Sequence, residues 1–464
     1  MEGSNARYLR AVILITFVTA VGGFLFGFDN GAISGSAGFI QDRFGLGPAG
    51  LGWVTSSIIV GCVIGVIVAG RVSDAIGRKK VLLGTALIFT VGAVLEALAP
   101  SAGALVAARV LVGVGIGVET TIAPLYIAEV APARLRGRLV SFNQLFNTIG
   151  NLAIFTVSAV VSHANTAAWN TDQGWRWIFA AGVVPAALFV CLLYLVPESP
   201  RWLAKKGRDD AALAVLARIT DSAGAATAQL GVIRASLAGE TRTGLRELWV
   251  PGLRKALVIG FGVAFFQQIT GINAIFYYAP EVFQAAGLGT DGAMMSTVLV
   301  GVVLVAATLV SMWLIDKVGR RSLLLFGATC MTVALAAVGY LFRDPAQYSV
   351  LLVALVLAYV AVFAVSFGTV AYVVISEIFP THVRGLAASI ATFALWGGNF
   401  LVSQLFPVLT AGIGSSSTFF IFAGTSLLAL IFTYTLVPET KGRTLEELSG
   451  ALGGGVTEPV RARR

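Results

Sequence analysis

The chain has 464 residues, 57% of them hydrophobic and only 12% charged, with a net charge of +9 at pH 7. A mean hydropathy of +0.87 excludes an ordinary soluble domain, because uncharged apolar runs of about 18 or more residues read as membrane helices rather than core helices. The positive balance does not point to nucleic acid, since Lys and Arg lie in short loops between the apolar runs and not on one soluble face.

Twelve such runs fall at about 8–36, 51–70, 81–99, 103–125, 139–162, 175–196, 252–280, 294–315, 322–342, 348–375, 385–409 and 417–437. The expected fold class is an all-α membrane protein with twelve transmembrane helices in two six-helix bundles. An even number puts both termini on one side. Of the 32 Lys and Arg, all but Arg43, Arg109, Arg176 and Arg343 fall on that side, which makes it the cytoplasmic face of a cell (inner) membrane. The first run continues into a Gly-rich stretch with Asp29 and has no small-residue cleavage site, so it reads as a span and not a signal peptide. Cys62, Cys191 and Cys330 all lie in apolar runs and read as small buried hydrophobes. The expected domains are an N-terminal bundle over 1–200, a cytoplasmic helical linker over 201–251, a C-terminal bundle over 252–440 and a cytoplasmic tail over 441–464. The linker is rich in Ala and charge, with an apolar rhythm through Leu213, Leu216 and Ile219.

The seventh run ends in the most unusual stretch, QQITGINAIFYYAPE (Gln267–Glu281). At 100° per residue Gln267, Gly271 and Tyr278 share a face while Asn273 and Tyr277 point away. An unbroken helix cannot aim all these groups at one ligand, and Gly271 permits a break of the kind tolerated where a helix lines a cavity. Gln267, Gln268, Asn273, Tyr277 and Tyr278 are neutral donors and acceptors, which suits an uncharged polyhydroxylated ligand. Polar glue between helices fits the same residues.

The two halves repeat one another. GRVSDAIGRKK (Gly70–Lys80) is echoed by IDKVGRR (Ile315–Arg321), AEVAPARLRGR (Ala128–Arg138) by SEIFPTHVRG (Ser376–Gly385), and PESPRWL (Pro197–Leu203) by PETKGRTLEEL (Pro438–Leu448). Three paired signatures at matching positions predict a duplicated transporter. On these six motifs nearly the whole chain resembles the sugar porters of the major facilitator superfamily, closest in motif to bacterial proton-coupled sugar symporters. The resemblance implies two pseudo-symmetric six-helix bundles that rock about a central site.

The charged loop residues Arg78, Glu129, Arg136, Arg320, Glu377 and Arg384, with Asp74, Arg134 and Asp316, gather at the cytoplasmic mouth. Lys79, Lys80 and Arg321 read as topology signals. The resemblance assigns the first six to an inner gate. Within the membrane Asp29, in GGFLFGFDNGAISG, and Arg109, in ARVLVGVGIG, both fall in the outer half of their spans, close enough in height to pair. Proton-coupled relatives carry the aspartate after FGY or FGF as proton acceptor, whereas the mammalian facilitative glucose transporters carry Asn, so Asp29 and Arg109 imply proton coupling. Carried over by resemblance, the substrate contacts are Phe26 (or Phe24), Gln144, Gln267, Gln268, Asn273, Tyr277, Tyr278, Gly368 and Trp396.

Three departures bear on the substrate. Leu304 stands where the family has Asn, Thr369 and Tyr372 replace the Pro and Trp of the span-ten motif, and Leu395 replaces the polar residue before Trp396. A pocket less polar than a glucose site is expected. Glu119, deep in span four, is an addition whose role stays open, and Glu96, near the outer end of span three, reads as snorkelling.

No metal constellation, nucleophile elbow, phosphate loop or ATP signature is present in the sequence, and His163 and His382 lie in opposite loops. Neither an enzyme nor a cofactor is therefore expected. The expected partners are a small sugar or polyol, a proton and the lipid bilayer, with no nucleic acid and a functional monomer. The expected function is proton-coupled uptake. The alternatives are a facilitator, a proton-driven exporter suggested by Leu304, Leu395 and Glu119, and a non-transporting sensor, which the lack of a long signalling segment disfavours.

Overall fold

The computed structural model describes residues 2–131, 136–238, 251–379 and 383–441. In the first part of the chain the helices are α1 (Glu2–Phe44), α2 (Pro48–Ile76), α3 (Arg78–Ala97), α4 (Ala102–Val130), α5 (Arg136–His163), α6 (Ala167–Trp169), α7 (Trp175–Ala180) and α8 (Val183–Leu193). Three short helices follow, α9 (Pro200–Lys205), α10 (Asp209–Ile219) and α11 (Ala223–Ala238). The remainder comprises α12 (Pro251–Ile269), α13 (Ile272–Ala285), α14 (Thr290–Val318), α15 (Arg320–Leu341), α16 (Pro345–Val365), α17 (Phe367–Ile378) and α18 (Arg384–Leu436).

Among the described residues eleven helical stretches are long and apolar enough to cross a bilayer. The last, Leu386–Leu436, has 51 residues, or about 77 Å of helix, more than twice the ~30 Å hydrocarbon thickness. It breaks at Gly414 (φ 82°), which divides it into two spans and gives the twelve expected from sequence.

By backbone contacts the chain divides into two compact units, Met1–Glu240 with Ile275–Gln284 and Leu288–Val305, and the remaining residues from Thr241 onward. In the first unit α1 lies along α5 and α2 along α4. Small residues set both contacts, as expected where lipid supplies no hydrophobic drive between helices. A Cβ on Gly23, Gly27, Gly31 or Gly35, spaced every four residues on α1, would strike Asn143, Asn147, Ile154 or Ser158 of α5. Gly61 and Gly65 of α2 meet Gly113 and Gly117 of α4 backbone to backbone in the same way. In the second unit α18 packs against α12 and α15, and α15 against α16.

The duplicated loop signatures build the same device once in each unit. Gly77 (φ 100°) and Gly319 (φ 102°) turn the chain into α3 and α15 with a backbone that favours glycine. The Glu198 carboxylate accepts from the backbone N–H of Arg78 (2.8 Å) and Lys79 (3.1 Å). Glu439 likewise accepts from Arg320 (2.9 Å) and Arg321 (3.1 Å). Each carboxylate thus satisfies donors that a helix N-terminus leaves open and meets the positive end of its dipole. A Cβ on Gly77 or Gly319 would collide with the capping glutamate. Burial pushes the Glu439 carboxyl up, but the backbone N–H groups of Lys441, Arg320, Arg321 and Thr440 outweigh it and hold the group below its ordinary range.

Glu198→Ala and Glu439→Ala are each expected to lower stability by about 1–2 kcal/mol, read as a drop in unfolding temperature of the purified protein. Because the folded Glu439 titrates below its unfolded value of about 4.3, its contribution is complete above that pH and fades as pH falls through the lower value. Wild type and Glu439→Ala should therefore differ at pH 7 and converge in strong acid.

Candidate functional site

The predicted break in Gln267–Glu281 is present. Gly271 adopts φ 95° between α12 and α13, and a second irregularity falls at Tyr278 (φ −134°, ψ 26°). A Cβ at Gly271 would lie 2.6 Å from the Phe422 ring. The break releases carbonyls that apolar surroundings would leave unpaired. Thr425 donates to the Ile269 carbonyl (2.9 Å), and the Tyr359 hydroxyl donates to that of Thr270 (3.0 Å). Asn273 Nδ2 donates to Gln268 Oε1 across the break. Gln267 Nε2 donates to the Phe367 carbonyl (3.0 Å) and more weakly to that of Gly368 (3.5 Å), where α17 begins after the sharp bend at Ser366. Its other end, Oε1, is buried with no hydrogen-bond partner in the protein, an acceptor suited to a ligand hydroxyl.

The other predicted contact residues divide between the units. Phe26 lies on α1 and Gln144 on α5, both partly exposed. Tyr277 and Tyr278 are almost fully buried and belong to the first unit, where the Tyr277 hydroxyl donates to Asn30 Oδ1 at 3.4 Å. Gln267, Gln268, Asn273, Gly368 and Trp396 belong to the second, where Trp396 is buried and Gly398, two residues on, packs against the Gln268 side chain. Leu304 and Leu395 are buried apolar positions, whereas Tyr372 is 47% exposed.

In the first unit Arg109 is completely buried and approaches two carboxylates. Its Nη2 is 3.9 Å from Asp29 Oδ2, and its Nη1 is 3.6 Å from Glu96 Oε1. Asp29 and Arg109 come together as their heights in the sequence predicted. The snorkelling expected of Glu96 is corrected, since this residue is 1% exposed and its carboxylate turns inward to Arg109. The guanidinium also lies 5.9 Å from the Phe179 ring. Glu119, whose partner sequence left open, accepts from Asn143 Nδ2 at 3.0 Å, packs against Gly22 and keeps Oε2 buried without a hydrogen bond.

At the loop signatures, Arg78 donates from Nε and Nη2 to the two oxygens of Glu129, both at 3.1 Å, and Arg320 Nη2 donates to Glu377 at 2.9 Å. Ser199 and Thr440 each donate a hydroxyl to the same two glutamates, at 2.5 and 2.6 Å. Each unit therefore holds its own arginine–glutamate pair, and each pair is tied to the residue after a capping glutamate. Glu198, Ser199, Glu439 and Thr440 carry roles that sequence reasoning passed over, although all four stand in the paired PES and PET signatures. Arg134 and the side chains of Arg136, Asp316 and Arg384 lie outside the described residues.

Residues 15–452 match the family described as "Sugar (and other) transporter". The arabinose-proton symporter of Bacillus subtilis (strain 168) is 42% identical over 445 residues, covering 96% of both chains. The D-xylose-proton symporter of Escherichia coli (strain K12) is 37% identical over 478 residues, again covering 96% of both. The structure of the xylose transporter XylE from E. coli in a partially occluded inward open conformation superposes with a TM-score of 0.84 at 34% identity, covering 94% of this chain and 100% of that one. On this family match over most of its length, and on relatives of 42% and 37% identity that it covers almost end to end, the chain belongs to the sugar transporter family, the sugar porters of the major facilitator superfamily.

Proposed function

We propose that this chain takes up a monosaccharide or polyol by proton symport through alternating access, as a single chain in the inner membrane with both termini cytoplasmic. The observation that carries the reading is the buried Asp29–Arg109 pair. An ionisable pair at membrane depth is costly and marks a functional site by default, and two relatives at 42% and 37% identity are named proton symporters.

Asp29 is the proposed proton acceptor and Arg109 its counter-ion. Phe26, Gln144, Gln267, Gln268, Asn273, Tyr277, Tyr278, Gly368 and Trp396 are the proposed substrate contacts. Arg78, Glu129, Arg136, Arg320, Glu377 and Arg384 are the proposed inner gate, and residues 1–200 and 252–440 the proposed moving bodies, joined through 201–251 and followed by a tail over 441–464. The open acceptor on Gln267 and the amide pair Gln268–Asn273 support a ligand bearing neutral hydroxyls. The apolar Leu304 and Leu395 favour one with fewer of them than a hexose, such as a pentose.

The test is reconstitution into liposomes with L-arabinose, D-xylose, D-glucose and myo-inositol, with and without a pH gradient. Wild type should accumulate at least one of these when the outside is acidified. Uptake that only equilibrates would indicate a facilitator, and binding with no uptake under any gradient a sensor.

Four variants sharpen the outcome. Asp29→Asn should still exchange labelled for unlabelled sugar at equal concentrations but no longer accumulate it under an imposed gradient, because asparagine mimics the neutral acid and cannot release a proton. Accumulation retained in this variant would place the proton site elsewhere. Gln268→Ala and Asn273→Ala should each weaken sugar binding by roughly tenfold or more, measured by titration of the purified protein. Unchanged affinity with an earlier unfolding transition would make them packing residues. Leu304→Asn with Leu395→Gln should move the competition ranking toward hexoses, and an unaltered ranking would remove both positions from the ligand site.

A further inference from the structure

The guanidinium of Arg109 carries one positive charge and faces two carboxylates. Asp29 of α1 approaches Nη2, and Glu96 of α3 approaches Nη1. All three side chains are at least nine-tenths buried. The approaches, 3.9 and 3.6 Å, lie outside hydrogen-bond range, and Arg109 Nε, Nη1 and Nη2, Asp29 Oδ2 and Glu96 Oε1 form no hydrogen bond in the protein. The arginine is therefore committed to neither acid. Among the described residues no cation other than Arg109 forms an ion pair with either carboxylate, and Arg176 of α7 donates instead to the Ala97 carbonyl (2.8 Å), one residue beyond Glu96. Cys62 of α2 and Tyr278 of α13 are the other titratable groups within electrostatic reach, and α7 presents the Phe179 ring.

With both acids ionised the cluster would hold a net negative charge out of water, which is expensive at this depth. Two carboxylates sharing one site relieve that cost by keeping one proton. The cluster is then neutral, with one acid, one carboxylate and one guanidinium. Asp29 and Glu96 also border one small cavity together with Phe28, Phe89, Phe179 and Gly182. Its volume of about 20 Å³ admits a single water.

Building on the symport reading above, we propose that Asp29 and Glu96 share one proton at Arg109, so that the proton site is a carboxylate pair. An O–H bond on one acid breaks as one forms on the other. The net charge does not change, and the guanidinium tightens onto whichever carboxylate is left ionised. Asp29 remains the member whose release moves α1. Glu96 is the second proton-bearing member of the pair and decides whether the proton is held at neutral pH.

Infrared spectroscopy of the protein in lipid tests this without sugar or gradient, by following the carboxylic-acid C=O band as pH is varied. Difference spectra against wild type cancel Glu119 and Glu281. At pH 7 the cluster should contribute one protonated carboxyl. Glu96→Gln should remove that band, since Asp29 alone balances Arg109. Asp29→Asn should remove it too, and Glu96→Asp should keep it. A proton belonging to Asp29 alone would survive Glu96→Gln, and one belonging to Glu96 alone would survive Asp29→Asn; either result overturns the proposal. Glu96→Ser replaces the glutamine variant should the amide not be accommodated.

In liposomes, Glu96→Gln should lower proton-driven accumulation roughly tenfold at an outside pH of 7 and regain it when the outside is acidified by about one unit. An unaltered pH profile, even with reduced stability, overturns the shared proton. If wild type accumulates none of the sugars while the infrared pattern holds, the symport reading fails and the carboxylate pair stands.

Discussion

Hydrocarbon offers no hydrogen-bond partners, and most of this structure follows from that constraint. Wherever the chain departs from a continuous apolar helix, it must satisfy the exposed polar groups itself. The break at Gly271 illustrates the rule, because each carbonyl freed there has its own donor, Thr425 for Ile269 and Tyr359 for Thr270. Phe422 closes against the glycine where any side chain would intrude. The polar groups left over, above all Gln267 Oε1, are then a small, defined set.

The same constraint explains why charge is concentrated in two kinds of place. At the loop signatures, carboxylates are spent on backbone donors and arginines, and the arrangement occurs twice because the sequence is duplicated. Arg78, Glu129, Glu198 and Ser199 in one unit correspond to Arg320, Glu377, Glu439 and Thr440 in the other. At membrane depth the charges of Asp29, Glu96 and Arg109 are collected at a single buried guanidinium with no repeat in the second unit among the described residues. A duplicated device suits a structural task common to both halves. An unduplicated one suits a task performed once per cycle.

Packing gives these charges their positions. The close approaches of α1 to α5 and of α2 to α4 depend on glycines at four-residue spacing. With α1 held on α5 and α4 on α2, Asp29 and Arg109 are delivered to each other by backbone contacts, not by their own attraction, which at 3.9 Å is unaided by a hydrogen bond. An ion pair positioned in this way is free to loosen, as a carrier of protons requires.

The sequence by itself determined the membrane class, the number of spans, the duplication, the break at Gly271 and the matching heights of Asp29 and Arg109. Each of these rests on local composition, spacing along one helix or a repeated motif, all of which survive without knowledge of neighbours. Tertiary structure alone decided the rest. Glu96 reads as a snorkelling acid when only its distance from a helix end is known, yet the rotation of α3 against α4 turns it inward to Arg109. The partner of Glu119 is Asn143, 24 residues away on the adjacent helix. Glu198 and Glu439 cap helices that begin about 120 residues earlier in the chain. In each case the deciding quantity is which face of one helix meets which face of another, and that is set by side-chain packing between segments far apart in sequence.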